Sequence, residues 1–216
     1  MNFVTLHQSK DVEIMIKNLL FDLGGVIMDL KRSRCVEEFR RLGMADADDF
    51  FDEYKQKGPL LKMECGEIGA DEFRRQVREF IAAPVTDAMI DRALLSFLDG
   101  IPESRLDQLR ALRRQYRVYM LSNTNPLMWE GYILPEFRKQ GQDVNAYFDG
   151  VVTSFRAGVC KPDRRIFDYT VETLGIVPEE TLFFDDSAAN TEAASRLGFH
   201  TAHVKDNRDF ASYIVD

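Results

Sequence analysis

Short apolar runs alternate with stretches of helical periodicity along most of the chain. The first run, residues 16–22, stops at Gly24 and Gly25, a boundary that is typical of a buried parallel strand followed by a turn. Similar runs predict further strands within residues 117–121, 147–154, 181–184 and 199–204. Between them, apolar residues recur every three or four positions, which predicts helices. This alternation indicates a parallel sheet covered by helices on both faces.

Residues 33–97 have a different pattern, because apolar runs of the strand type are absent and helical spacing dominates. Phe73 and Val77 stand about one helical turn apart, and Ile90 begins a second such series behind a candidate helix cap at Thr86. We therefore expect a small all-helical unit inserted after the first strand.

These patterns predict a division of the chain into three parts. Residues 1–15 form a polar tail, residues 16–32 and 98–216 form the core, and residues 33–97 form a helical cap over the strand ends. The expected fold class is α/β, a Rossmann-like doubly wound parallel sheet with a small inserted all-helical cap domain.

Composition excludes several classes of protein. Of the 216 residues, 45% are hydrophobic, which suits a globular chain with a real core and argues against disorder. The formal charge of −8 disfavours nucleic acid, whose phosphates an acidic surface repels. Membrane spans and a signal peptide are not expected, because long unbroken apolar stretches are missing. We expect a cytoplasmic protein, monomeric or weakly dimeric, with no nucleic-acid or membrane partner.

The three cysteines, Cys35, Cys65 and Cys160, are scattered and lack the Cys-x-x-Cys spacing of metal or redox motifs. Their odd number and their spacing favour free thiols in a reducing compartment. Cys160 stands next to Lys161, and we interpret it as a bystander rather than as a nucleophile.

Polar side chains stand at the predicted strand ends, where ligands bind in doubly wound sheets. Along the chain they are Asp22, Ser122 with Asn123, Lys161, and Asp185 with Asp186. Each has an ordinary explanation by itself, because aspartate, serine and asparagine are common in turns and helix caps. Together they would bring carboxylates, a hydroxyl, an amide and one cation into a single cleft.

Carboxylates packed this closely repel one another. Two unit charges at about 4 Å cost roughly 4 kcal/mol at an effective dielectric constant of about 20, so the cluster needs a proton or a cation. Mg²⁺ suits such a site because it binds a few carboxylates and keeps several waters. With the cation bound, Lys161 and Ser122 would contact phosphoryl oxygens. Asp22 would then be placed to attack phosphorus.

Four segments resemble, in order, the motifs of the haloacid dehalogenase-like hydrolases. They are Phe21-Asp22-Leu23-Gly24-Gly25-Val26, Leu121-Ser122-Asn123, Lys161-Pro162-Asp163 and Phe184-Asp185-Asp186-Ser187. The resemblance covers nearly the whole chain after residue 15, including a helical cap placed after the first motif. It implies a Mg²⁺-dependent phosphatase that acts on a small phosphorylated metabolite.

The resemblance also implies roles for individual residues. Asp22 is the expected nucleophile, which would form an aspartyl-phosphate intermediate, and Ser122 and Lys161 are expected to hold the phosphate. We expect Asn123 and Gly25 to bind the substrate.

The metal site implied by the resemblance draws on the first and last motifs. Its expected Mg²⁺ ligands are Asp22, the main-chain carbonyl of Gly24, Asp185 and Asp186. Asn190, four residues after the last of these, is expected to orient the loop.

One position departs from the family pattern. Phosphatases of this family usually carry a second aspartate two residues after the nucleophile as general acid and base, whereas this chain has Gly24. General acid catalysis is typically worth about 10²–10⁴-fold, so poor leaving groups should suffer most. A sugar 1-phosphate has a more acidic leaving hydroxyl, and the sequence resembles a subgroup that includes glucose-1-phosphate phosphatases. The alternative is a replacement acid from the cap, Glu64 or Glu67.

Two other functions are consistent with parts of the sequence. A haloacid dehalogenase would use Asp22 to attack carbon and needs no acid at position 24, because halide leaves without a proton. Asp185 and Asp186 argue against it, since a carboxylate substrate would meet like charge. The third hypothesis is a phosphate-binding sensor with negligible turnover, and the glycine at position 24 is its support.

Overall fold

The computed structural model describes residues 5–6, 14–53, 58–205 and 210–214. Its strands in chain order are β1 (Thr5–Leu6), β2 (Ile14–Met15), β3 (Asn18–Phe21), β4 (Asp29–Leu30), β5 (Leu98–Gly100), β6 (Arg117–Ser122), β7 (Gly150–Thr153), β8 (Thr181–Asp185) and β9 (His200–His203). Its α-helices are α1 (Arg32–Arg41), α2 (Ala47–Glu53), α3 (Pro59–Glu64), α4 (Ala70–Arg78), α5 (Asp87–Leu95), α6 (Glu103–Leu112), α7 (Pro126–Met128), α8 (Leu134–Arg138), α9 (Ser154–Ala157), α10 (Arg164–Leu174) and α11 (Ala188–Ser195).

Five of these strands form one parallel sheet in the order β7-β6-β3-β8-β9. The first strand of the sheet in sequence, β3, is therefore its central strand, with β6 on one side and β8 on the other. Because all five strands run in the same direction, their carboxyl ends lie along one edge of the sheet. This edge collects the residues that follow β3, β6 and β8.

Side chains from the strands alternate between two hydrophobic clusters, one on each face of the sheet. In β3, Leu19 and Phe21 belong to the larger cluster and Leu20 to the smaller. In β8, Phe184 joins the larger cluster and Phe183 the smaller. A sheet that is apolar on both faces needs helices on both faces, so the prediction of a Rossmann-like doubly wound α/β fold is confirmed.

Helices α1 to α5, called here the helical segment, lie between β4 and β5. β4 and β5 pair with each other in antiparallel orientation, so the chain enters and leaves this segment side by side. The sequence pattern does not predict this pair, because two or three residues carry no recognisable periodicity. Thr86 caps α5 as predicted, since its side chain accepts a hydrogen bond from the Met89 backbone. We keep residues 33–97 as the proposed cap.

The structure contains two features that the sequence pattern does not predict. One is a helical stretch from Pro126 to Arg138, which follows β6 and includes a π-helical turn at Trp129–Ile133. Within residues 1–15, predicted as a polar tail, β1 and β2 form an antiparallel pair. The later helix α10 begins at Arg164, because the side chain of Asp163 accepts a hydrogen bond from the Arg165 backbone and caps it.

The prediction of free thiols is wrong for two of the three cysteines. Cys65 and Cys160 form a disulfide, with their Cα atoms 5.4 Å apart, whereas Cys35 is a buried free thiol. The pairing depends on how the end of α3 packs against the loop before Lys161, and 95 residues separate the two cysteines. Sequence spacing therefore gives no sign of it.

Among the described helices, none combines the length and the apolar character needed to cross a bilayer.

Candidate active site

Three carboxylates meet at the carboxyl edge of the sheet. One ligand oxygen from each of Asp22, Asp185 and Asp186 lies within 4.8 Å of the others. The register explains the meeting, because β3 and β8 are neighbours and the Asp22 backbone N–H donates to the carbonyl of Phe184 at 2.8 Å. Asp22 and Asp185 are buried and Asp186 is exposed, so the cluster opens to solvent on one side.

The ammonium group of Lys161 lies between two of these carboxylates. Its Nζ is 2.8 Å from Asp22 Oδ1 and 2.7 Å from Asp185 Oδ2, and it also donates to the Leu121 carbonyl at 3.1 Å. The side chain is buried. Burial by itself would lower the pKa of Lys161, but the charges of Asp185 and Asp22 raise it above its usual value. Lys161 is therefore a fixed positive charge.

The pKa of Asp22 is raised as well, which for a carboxyl group disfavours the charged form. Burial raises the pKa of its carboxyl, the charge of Lys161 lowers it in part, and the charge of Asp185 raises it again, to about 7. A carboxyl group with this pKa exchanges its proton near neutral pH in the absence of a bound cation. Such perturbed carboxyl groups are typical of reactive sites.

The Asn123 side chain connects the second motif to the third. Its Nδ2 donates to the Lys161 carbonyl at 3.0 Å, and its Oδ1 accepts from the Lys161 backbone N–H at 2.9 Å. These two bonds fix the loop that carries Lys161 against the end of β6. Both polar ends of the amide contact the protein, so the expectation that Asn123 binds substrate stays a prediction.

Asp185 is held by several donors from the loop that follows it. The backbone N–H of Ser187 donates to its Oδ1 at 2.8 Å, and Asn190 Nδ2 lies 3.0 and 3.1 Å from its two oxygens. Asn190 thus orients this loop, as expected. Ser187 occupies the N-cap position of α11, but its side chain makes no capping hydrogen bond. The charge of Asp185 is therefore stabilised by dipoles as well as by Lys161.

The two glycines after Asp22 shape the approach of the first motif to the last. Gly25 has a left-handed backbone conformation, φ +71°, and a Cβ atom built there would overlap the carboxylate of Asp186. Only glycine leaves this space to Asp186. A Cβ atom at Gly24 would lie 3.1 Å from Leu30 Cδ1, so the side of the backbone where a second aspartate would stand faces an apolar side chain.

Ser122 ends β6 close to Lys161 and is almost fully buried. Its hydroxyl makes a long bond of 3.4 Å to the Asn123 carbonyl. Nearby, Ser154 Oγ accepts from the Thr124 backbone N–H at 3.0 Å and donates to the Thr124 carbonyl at 3.1 Å. These two hydrogen bonds join the end of β6 to the end of β7. The sequence does not predict them, because a serine after a strand has no distinctive pattern.

The net charge of the cluster indicates whether a divalent cation would fit there. Three carboxylates face one ammonium group, so the ionised cluster has an excess of two negative charges. A divalent cation with oxygen ligands offsets this excess, and the exposed side at Asp186 provides an entry. The donor set therefore fits Mg²⁺. The expected contribution of the Gly24 carbonyl stays a prediction.

A family model described as haloacid dehalogenase-like hydrolase matches residues 16–198 of the chain. Among curated proteins, the D-ribitol-5-phosphate phosphatase of Bacteroides thetaiotaomicron is 39% identical over 196 residues, which cover 91% of this chain and 95% of that protein. A solved HAD family enzyme from the same organism, in complex with magnesium and inorganic phosphate, is 38% identical with a TM-score of 0.86. The match covers 93% of this chain and 100% of that enzyme's chain.

A dehalogenase solved as an intermediate complex has a TM-score of 0.63 at 18% identity, covering 90% of this chain and 87% of that one, and this likeness shows the fold alone. The family model spans most of the chain and includes Lys161 and the three clustered carboxylates, which come from the first and last motifs. The chain belongs to the haloacid dehalogenase-like hydrolases.

Proposed function

We propose that this hydrolase is a Mg²⁺-dependent phosphatase for the phosphate monoester of a small polyol or sugar. The observation that carries the proposal is the cluster of Asp22, Asp185 and Asp186 around the buried ammonium of Lys161. The phosphatase from B. thetaiotaomicron, 39% identical, is named for D-ribitol 5-phosphate, an acyclic polyol phosphate. We therefore propose a five-carbon polyol phosphate as the preferred class of substrate.

The proposed reaction begins with the carboxylate of Asp22. Its oxygen attacks phosphorus, the bond from phosphorus to the leaving oxygen breaks, and an aspartyl phosphate forms, which water then hydrolyses. Lys161 holds a phosphoryl oxygen by its charge, and the Ser122 hydroxyl donates a hydrogen bond to another. Asp185 keeps Lys161 in position through its 2.7 Å contact.

Asp22, Asp185, Asp186 and the Gly24 carbonyl are the proposed ligands of Mg²⁺. When bound, the cation supplies positive charge to the phosphoryl oxygens and neutralises the excess charge of the cluster. Gly25 supports this site by leaving room for Asp186.

A panel of substrates tests the proposal. Phosphate release is measured from D-ribitol 5-phosphate, glucose 1-phosphate and p-nitrophenyl phosphate, with Mg²⁺ and with excess chelator, and halide release is measured from a 2-haloacid. We expect the highest kcat/KM for the polyol phosphate, and no release in chelator. A preference for glucose 1-phosphate would favour the good leaving group that Gly24 suggests. Halide release in chelator, or phosphate binding without turnover, would contradict the proposal.

The leaving alcohol needs a proton that Gly24 does not provide. We propose Glu64 at the end of α3 as its source, because Glu64 is partly buried and stands beside Cys65, which is bonded to Cys160 next to Lys161. We expect Glu64→Gln to lower kcat for an alkyl phosphate by roughly 10²-fold. The same change should leave p-nitrophenyl phosphate almost unaffected, because p-nitrophenolate leaves without a proton.

Glu67, which is exposed, provides the matched control for Glu64. Kinetics of Glu67→Gln with both substrates should resemble those of the wild type. Equal losses on both substrates in Glu64→Gln would show that Glu64 has a structural role instead.

The affinity for Mg²⁺ should depend on pH through Asp22. Because the pKa of this carboxyl is about 7 in the absence of metal, binding must displace a proton below that pH. We expect the affinity to be constant above about pH 8 and to weaken about tenfold for each pH unit below about 7. Isothermal titration calorimetry across this range measures it. In Asp22→Asn the pH dependence should disappear, and a flat profile in the wild type would contradict the prediction.

Replacing Gly25 by alanine should weaken Mg²⁺ binding. The new Cβ would overlap the Asp186 carboxylate and displace it, so we expect a loss of roughly 10–100-fold in affinity. Gly141→Ala is the matched control, because Gly141 has the same φ of +71° and no atom near its Cβ position. It carries the same backbone strain without touching the cluster. If both variants bind Mg²⁺ equally well, the role assigned to Gly25 is wrong.

A further inference from the structure

The Cys65–Cys160 disulfide joins the helical segment to the loop of the proposed phosphate site. Cys65 directly follows α3, and Cys160 directly precedes Lys161. Their bond is a covalent connection between two parts of the chain that are 95 residues apart in sequence. The bond itself takes no part in the proposed phosphoryl transfer.

The polypeptide itself connects the helical segment to the sheet at one place. β4 and β5, which lead into and out of the segment, are paired, with Asp29 opposite Gly100 and Leu30 opposite Leu98. Two adjacent strands of this kind allow a rigid-body movement about a single line, as hinges between domains do. The disulfide adds a second covalent attachment, so it restricts that movement.

The end of α3, where the disulfide is attached, packs next to the proposed phosphate site. Beside Cys65, Gly66 has a φ of +71°, and a Cβ atom there would overlap the Phe155 carbonyl, so the end of α3 rests directly on α9. The first residue of α9, Ser154, is bonded to the Thr124 backbone at the end of β6. The disulfide and the contact with α9 therefore both connect the end of α3 to the end of β6. Ser122 lies at this end of β6, and Asn123 binds the loop that carries Lys161 there.

We propose that the Cys65–Cys160 disulfide is a redox switch, which in its oxidised state fastens the end of α3 to the Lys161 loop and slows the exchange of substrate and product. This inference rests on the proposed phosphatase function. Many enzymes with covered sites are limited by opening and product release rather than by chemistry. Reduction removes this covalent attachment of the α3 end, so the site opens more readily.

The switching step is thiol–disulfide exchange with a small dithiol. A thiolate of the reductant attacks the sulfur of Cys65, which is partly exposed, whereas Cys160 is 7% exposed. The S–S bond breaks, a mixed disulfide forms on Cys65, and the second thiol of the reductant displaces it. The products are two protein thiols and the oxidised reductant. Oxidised glutathione reverses the reaction.

The test compares oxidised and dithiothreitol-treated wild-type protein, with the bridge monitored by alkylation and mass spectrometry. We expect the oxidised form to have about tenfold lower kcat for p-nitrophenyl phosphate with Mg²⁺, reversibly. Backbone hydrogen exchange in α3 should be slower in the oxidised form. Cys65→Ser should match the reduced wild type under both conditions, and Cys35→Ala should keep the wild-type response.

Three results would overturn the switch. They are the absence of a Cys65–Cys160 peptide in the oxidised protein, equal kcat in both redox states, and equal hydrogen exchange of α3 in both states. If neither state hydrolyses any phosphate ester, the proposed function fails, and the hydrogen exchange alone then decides whether the disulfide fastens α3.

Discussion

Replacing Asp22 by asparagine should abolish phosphate release while leaving the fold intact. Asparagine has nearly the same shape, but its amide cannot attack phosphorus, so we expect kcat to fall by roughly 10⁴-fold or more. Lys161 keeps its contacts with Asp185 and with the Leu121 carbonyl, and the loop stays bonded to Asn123. The variant should therefore unfold at a temperature close to that of the wild type, as measured by calorimetry beside the activity assay.

A matched control for this change is Asp163→Asn. Asp163 stands two residues after Lys161, but its carboxylate contacts Arg165 and caps α10 outside the cluster. Asparagine is also a good N-cap residue, so activity and stability should both stay near those of the wild type. Appreciable phosphate release by Asp22→Asn, or an equal loss in both variants, would contradict the assignment of the nucleophile.

Removing the charge of Lys161 should have the largest effect on stability. In Lys161→Met, the buried carboxylates of Asp22 and Asp185 lose their counter-charge. We expect the free energy of unfolding in chelator to fall by about 3–5 kcal/mol at neutral pH, which is the usual cost of removing one partner of a buried ion pair. Added Mg²⁺ should recover part of this loss, because the cation replaces the missing charge. Urea unfolding with and without Mg²⁺ measures both effects.

Lys17→Met separates this burial effect from the loss of an ordinary ion pair. Lys17 Nζ lies 2.6 Å from Glu180 Oε1, but the lysine side chain is 52% exposed. Exposed pairs contribute about 0–1 kcal/mol, so this variant should lose little stability. The electrostatic account of the cluster is wrong if the two methionine variants are equally stable in chelator.

The sheet could be predicted from the sequence because its strands are apolar on both faces. The run at 181–184, for example, lies entirely within β8. Shorter elements were missed for a physical reason. β4 and β5 are two and three residues long and pair with each other, and neither they nor the five-residue π-helical turn at Trp129–Ile133 is long enough to show a periodic pattern.

The candidate site could be predicted as far as parallel strands determine it. Residues at the ends of β3 and β8 must lie on one edge, so Asp22, Asp185 and Asp186 converge by topology. The Asn123 bonds to Lys161 and the Cys65–Cys160 bridge depend on how loops and the helical segment pack. No periodic pattern encodes such contacts, and their roles toward a substrate stay predictions.

The central claim is that these separate side chains bind one divalent cation and one phosphoryl group together. Crystals of the wild-type protein soaked with Mn²⁺ and inorganic phosphate test it directly through the anomalous signal of the metal. We expect a single strong peak bounded by oxygens of Asp22 and Asp186, with the phosphate on Lys161 Nζ and Ser122 Oγ. A peak away from these carboxylates, or a phosphate that contacts neither Lys161 nor Ser122, would contradict the claim.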